Sequence, residues 1–147
     1  MALTVVDAGV VIALGDTTDV HHHGAKAAVR TAHAAGVSLL LPASAFAEVL
    51  VGPLHKQGAI DGRHRVQRVL ELLSIRVVQL DTDIAVLAAS LRAQHGPRLR
   101  LPDALVVATA AHNKASVMTT DARWPKLASV AVTVVGKRKS PTPRATA

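Results

Sequence analysis

The chain has no cysteine, and its only Phe, Trp or Tyr residues are Phe46 and Trp124. The first absence excludes disulfides, thiolate zinc sites and cysteine nucleophiles, and it suits a reducing compartment. The second argues against a module that reads single strands by stacking bases on Phe or Tyr. Long apolar runs are missing too. Nothing approaches the roughly 18–20 residues of a membrane span, and Asp7 interrupts the first apolar run, which no basic stretch precedes. Neither a membrane span nor a targeting segment is therefore expected, and the expected location is the cytoplasm. Acids are scarce, ten against seventeen Lys and Arg, which leaves a formal charge of +7.

What is present is half hydrophobic, mostly Ala, Val and Leu, and 147 residues long, the size of one domain with a real core. Part of the positive charge sits in residues 137–147, KRKSPTPRATA, where Lys137, Arg138, Lys139 and Arg144 meet no acid. Their composition is that of a disordered tail. Residues 1–136, the expected domain, carry thirteen basic and ten acidic residues, a net +3. A basic surface suggests a polyanionic partner, most simply nucleic acid.

Short apolar strands alternate with helical stretches. Strands are expected at Leu3–Val6, Val37–Leu41, Ile75–Leu80, Ser116–Thr119 and Ala131–Val135. A turn or helix start follows Asp7 near Ala8-Gly9. Helices are then expected over Val20–Ala35, from Ser44 as N-cap until Gly52-Pro53, and over Arg63–Leu73. Two more run from Asp81 or Asp83 to about Ala93 and from Pro102 to His112. The alternation implies an α/β fold with a central, mostly parallel sheet and helices on both faces.

Against that background four acids stand out: Asp7 in VVDAGVVIAL, Glu48 in ASAFAEVL, Asp103 in LPDALVVATAA and Asp121 in VMTTDARW. Each lies at the edge of an apolar segment, where an unpaired carboxylate is costly to bury. Asp7 and Asp121 follow strands, and Asp103 and Glu48 lie in the first and second turns of helices. All four can reach the carboxyl edge of the sheet, where open α/β folds place ligands. Carboxylates gathered there repel one another, so a hard divalent cation with all-oxygen ligands is the simplest partner. Taken alone, Asp103 reads equally well as a first-turn acid facing the helix dipole, and Asp121 as a turn residue. Asp7 has no capping role evident in the sequence.

In this order the four segments resemble a PIN domain, and within that group the VapC toxins of bacterial toxin–antitoxin pairs. The resemblance covers residues 3–135, and LPDALVVATA is its most specific stretch. It implies a metal-dependent endoribonuclease in which Asp7, Glu48, Asp103 and Asp121 form an acidic quartet around Mg²⁺ or Mn²⁺. It further implies a supporting role for Thr119, an RNA substrate, a homodimer and a VapB-like antitoxin that places an arginine near the carboxylates. Val29, Leu50 and Leu54 are the apolar candidates for those interfaces. One departure is plain: many relatives carry Ser, Thr or Asn two residues after the first acid, and this chain has Gly9. A hydroxyl is lost there, and the bare Gly9 N–H is expected to face an approaching phosphate.

Other residues invite a sharper reading than they support. His21-His22-His23 sits in an early helical turn, where adjacent imidazoles cannot all face one ion. Asp16, Asp19, Asp81 and Asp83 read as caps, and Trp124 as packing beside the site. Arg63, Arg65, Arg68, Arg98 and Arg100 are candidates for an RNA-facing surface, or simply solvated charge. Two other function classes stay open: a non-catalytic PIN-like RNA-binding protein, and a phosphoryl-transfer enzyme using Asp7 as nucleophile. Against the latter, Gly9 leaves Asp7 without the second acid of a DxD pair.

Overall fold

Residues 2–137 are described in the computed structural model; the tail expected at 137–147 lies outside them from residue 138 onward. The chain runs β1 (Leu3–Val6), α1 (Ala8–Gly15), α2 (His22–Ala34), β2 (Ser38–Pro42), α3 (Ala43–Gln57), α4 (Ala59–Leu72), β3 (Ile75–Val78) and α5 (Thr82–His95). A 3-10 turn at Gly96–Arg98 leads to α6 (Leu101–His112), β4 (Ser116–Thr119) and β5 (Val132–Val134). The five strands form one sheet, all parallel, in the order β3-β2-β1-β4-β5.

Branched and apolar side chains suit the central strands, which are covered on both faces. Val5, Val6, Leu39, Leu40, Leu41 and Val117 are all essentially inaccessible. The edge strand β3 instead exposes Arg76 and Val77, and a charge on an edge discourages pairing with another chain. Right-handed crossovers put α1–α4 on one face of the sheet and α5–α6 on the other. The larger core lies between the sheet and its helices. A smaller one, Ile84, Ala88, Leu99, Ala104 and Ala108, fills the α5–α6 interface, with Trp124 packed against both. Among the described residues no helix is long and apolar enough to cross a membrane.

The sheet order places the site. Strands are added in one direction from β1 to β3, and the chain then returns to the other side of β1 for β4. The switch falls between β1 and β4, whose register pairs Val5 with Val117 and Val6 with Met118. Asp7 and Asp121 therefore emerge next to each other at the carboxyl edge, where such a reversal opens a crevice.

Several local expectations are overturned. Gly52-Pro53 does not end a helix, because α3 continues through Pro53 to Gln57. An internal proline costs a helix about 3 kcal/mol, but here α4 packs onto the same turn. A Cβ added to Gly62 would lie 2.6 Å from the Pro53 carbonyl carbon and oxygen and 2.7 Å from the Leu54 nitrogen. That close contact holds the turn, and α4 begins four residues earlier than expected, at Ala59. Ser44 is not a cap: Pro42 stands at the cap position, and the Ser44 hydroxyl is buried without a partner among the described residues. Likewise α2 starts at His22, and Asp16 and Asp19 brace the preceding turn through the Thr18 and His21 amides. Asp81 does cap α5, accepting from the Ile84 amide.

Candidate active site

Asp7 is built into the junction of β1 and α1. Its backbone N–H donates to the Met118 carbonyl at 2.9 Å, which continues the β1–β4 ladder by one residue. Its carboxylate then caps α1, with Oδ1 accepting from the Ala8 N–H at 2.8 Å. The sequence disguised this role, since the cap and the first helical residue follow the strand without a linker. Oδ2 accepts from the Thr119 hydroxyl at 2.9 Å, and the same Thr119 oxygen accepts from the Asp121 N–H at 3.1 Å. One hydroxyl at the end of β4 thus ties the first acid to the backbone of the last. Asp7 is only 8 % exposed, and burial pushes its carboxyl above the usual range. The Thr119 and Ala8 hydrogen bonds pull it down, while the charges of Asp103 and Asp121 push it up.

Glu48 projects from the second turn of α3 on an exposed position. Partial desolvation raises its carboxyl, reinforced by Asp7 and Asp103 and opposed by Arg100. Asp103 sits in the first turn of α6 after Pro102, with its side chain 13 % exposed. Desolvation raises it, Arg100 lowers it and Asp121 raises it. Asp121 goes the other way: hydrogen bonding by Arg123 holds it below the usual range, against some desolvation. Asp7, Glu48 and Asp103 each feel at least one other acid, and Asp121 acts on Asp7 and Asp103, so charges from separate parts of the chain act on one another in this neighbourhood.

Two arginines stand inside that neighbourhood. Arg123 forks onto Asp121, Nε to Oδ1 at 3.0 Å and Nη2 to Oδ2 at 3.2 Å, with its own backbone N–H on Oδ1 at 2.9 Å. Arg100 Nε lies 3.5 Å from Asp103 Oδ2. Among the described residues no three His, Asp or Glu side chains close into a metal-binding group. The donor set is all-oxygen, and neighbouring acids raise Asp7, Glu48 and Asp103, which fits a hard cation; Asp103 and Asp121 are turned to arginine instead.

Apart from Arg100, the remaining candidates fall outside this group. Arg63, Arg65, Arg68, Arg98 and Arg100 are all exposed, as a solvated or nucleic-acid-facing surface requires. His22 Nδ1 contacts the Ala13 carbonyl at 2.7 Å, and His21 lies 3.4 Å from Asp19, so the histidines tie α2 to α1. Val29 is buried in the core and presents no interface, whereas Leu50 and Leu54 are half-buried. The volume of the side chain that Gly9 lacks is occupied. A Cβ there would overlap Thr120 Oγ1, so Thr120 fills that space. The sequence carries no sign of this contact between residues at its two ends. Beside Glu48 a cavity of about 700 Å³ opens between α1, α3 and α4, with Ile12, Val49, Pro53 and Val66 in its wall next to Lys56 and Arg65.

The fold recurs elsewhere. The PIN domain family model matches residues 4–130. A toxin–antitoxin complex from Klebsiella pneumoniae is 25 % identical, over 82 % of this chain and 87 % of that one, with a TM-score of 0.58. VapBC2 from Rickettsia felis, bound to a DNA fragment from its promoter, superposes at a TM-score of 0.74 with 11 % identity, over 91 % of this chain and 99 % of that one. The Mycobacterium tuberculosis toxin VapC20, which cleaves the sarcin–ricin loop, gives 0.60 with 18 % identity, over 80 % and 87 % of the two chains. A sequence comparison with curated proteins finds no match. With the family model spanning most of its length and its parallel sheet shared with these structures, the chain belongs to the PIN domain family.

Proposed function

We propose that the chain is a metal-dependent endoribonuclease and the toxin of a toxin–antitoxin pair. What supports this reading is the buried Asp7 carboxylate at the β1–β4 switch point, pushed upward by burial and by the charges of Asp103 and Asp121, with Glu48 raised in turn by Asp7 and Asp103. Proteins that present the same fold as toxins with antitoxins add support.

On this reading the four carboxylates hold Mg²⁺ or Mn²⁺. When bound, such a cation lowers the pKa of a water and stabilises charge on the scissile phosphate. The chain's own residues prepare for that. Thr119 and the Ala8 N–H fix the Asp7 rotamer while leaving each oxygen a free lone pair. Arg100 and Arg123 balance part of the acidic charge and stand where an incoming polyanion needs positive partners. The antitoxin and a homodimer belong to the same proposal. The cavity beside Glu48, where apolar Ile12, Val49 and Val66 meet Asp16, Lys56 and Arg65, is the surface offered to a partner's chain segment.

The test is incubation of antitoxin-free protein with total cellular RNA in Mg²⁺, Mn²⁺ or EDTA, beside Asp103→Asn. Discrete fragments that need the metal and disappear in the variant are expected. Intact RNA in every lane, together with no calorimetric Mn²⁺ binding, would favour the non-catalytic RNA-binding reading.

A further inference from the structure

Thr120 occupies a notch that only glycine can leave. Gly9 lies in the first turn of α1, two residues after Asp7, and the Thr120 side chain takes the volume its Cβ would fill. Thr120 is flanked by Thr119, whose hydroxyl is committed to Asp7 and to the Asp121 amide. On the other side is Asp121, committed to Arg123. The Thr120 hydroxyl itself makes no hydrogen bond among the described residues, although the residue is half-buried. A β-branched side chain seated against a helix backbone has little rotamer freedom. Its Oγ1 lies against Gly9, two residues after Asp7, while the next residue is Asp121: a neutral donor at the acids with no partner among the described residues.

An RNA phosphate approaching four acids meets repulsion, and each donor that faces it counts. We propose that Thr120 is a substrate-positioning residue, whose hydroxyl donates to a non-bridging oxygen of the RNA phosphate presented to the acidic site, and that Gly9 is there to seat it. The inference rests on the ribonuclease reading. It also accounts for Gly9: the hydroxyl that position lacks is supplied from the end of β4.

The experiment compares Thr120→Val, which keeps the shape and loses the hydroxyl, with Thr120→Ser, which does the reverse. A third variant, Gly9→Ser with Thr120→Ala, moves the hydroxyl to the helix side. Three quantities are read on the full chain: Mn²⁺ affinity by calorimetry, the rate of Mn²⁺-dependent cleavage of total RNA, and binding of a fluorescent mixed-sequence single-stranded RNA in the Asp103→Asn background. T120V is expected to bind RNA about tenfold more weakly and to cut it about tenfold more slowly, the loss of one hydrogen bond to a charged oxygen, with Mn²⁺ affinity unchanged. T120S and the exchange variant are expected to stay near the parent. Parent-like RNA binding and cleavage by T120V overturns the proposal, and so does a T120S as weak as T120V, because the methyl group would then be what matters. If the unsubstituted chain cuts no RNA with Mn²⁺, the ribonuclease reading fails and takes the proposal with it. If it cuts and T120V cuts equally well, only the proposal fails.

Discussion

Asp7→Asn is expected to raise the melting temperature of the metal-free protein and to abolish metal-dependent RNA cleavage. The two effects share one cause. Asp7 is buried, its carboxyl is raised chiefly by desolvation, and the charges of Asp103 and Asp121 add to that. A carboxyl whose folded pKa lies above its unfolded value favours the folded state most below the unfolded pKa. That advantage is lost as pH rises from there through the raised folded pKa. At neutral pH the ionised group therefore works against folding unless a cation offsets it. Asn carries no charge and remains a good N-cap for α1, its one oxygen accepting from the Ala8 amide while its NH2 takes the place of Oδ2 and donates to the Thr119 oxygen. A gain of about 2–4 °C in Tm is expected, the shift that ~1 kcal/mol produces in a domain of this size. The gain should shrink on acidification, as the native Asp7 becomes neutral as well. Cleavage should fall by more than about a hundredfold, beyond the usual loss when only a supporting contact to a metal ligand is removed. Calorimetric scans across pH with and without Mn²⁺, alongside RNA cleavage, check both halves. An Asn variant less stable than the parent in EDTA would show that burial of Asp7 carries no cost.

The second large effect concerns the α3–α4 hairpin, where two glycines should respond in opposite ways to the same substitution. Gly62→Ala drives a methyl into the Pro53 carbonyl group and the Leu54 nitrogen at 2.6–2.7 Å, and these are backbone atoms that cannot swing aside. Helices α3 and α4 must separate, at a cost of about 3 kcal/mol, the upper range for overpacking. Tm is then expected to fall by roughly 6–12 °C. Gly52, also helical, has nothing within 4 Å of its added Cβ. There Gly52→Ala should stabilise by about 0.5–1 kcal/mol, through helix propensity and a less disordered unfolded chain. Thermal melts of the two variants decide the matter. Equal and small shifts would mean that the hairpin is looser than its glycine contact implies.

That hairpin also shows where sequence reasoning reaches and where it stops. The alternation of β1, β2, β3, β4 and β5 with helices was legible because buried parallel strands and capped helices leave strong local signals. So were Asp7 after β1 and Asp103 after Pro102, acids set against apolar runs. Gly52-Pro53 was misread because its local signal says break, and what overrides it is Gly62, about ten residues on, packed against the same turn. The fork of Arg123 onto Asp121 and the ion pair of Arg100 with Asp103 needed side-chain directions that no pattern supplies. Thr120 was invisible for a different reason. Its partner Gly9 lies at the other end of the chain, and only the return of β4 to β1 brings the two together.

That return has a bearing on how the protein is made. The bond between Thr119 and Asp7 joins residues 112 apart, and the β1–β4 pairing spans the same separation. Contacts of such separation form late, after nearer pairings such as β1 with β2 have closed the shorter loops. While ribosomes are still translating the segment before β4, the growing polypeptide has Asp7 and Glu48 but neither Asp121 nor the hydroxyl that holds the first acid in place. On the proposed ribonuclease reading, a chain threaded this way stays inert while its first four strands are being made, and gains its site only when β4 returns to β1.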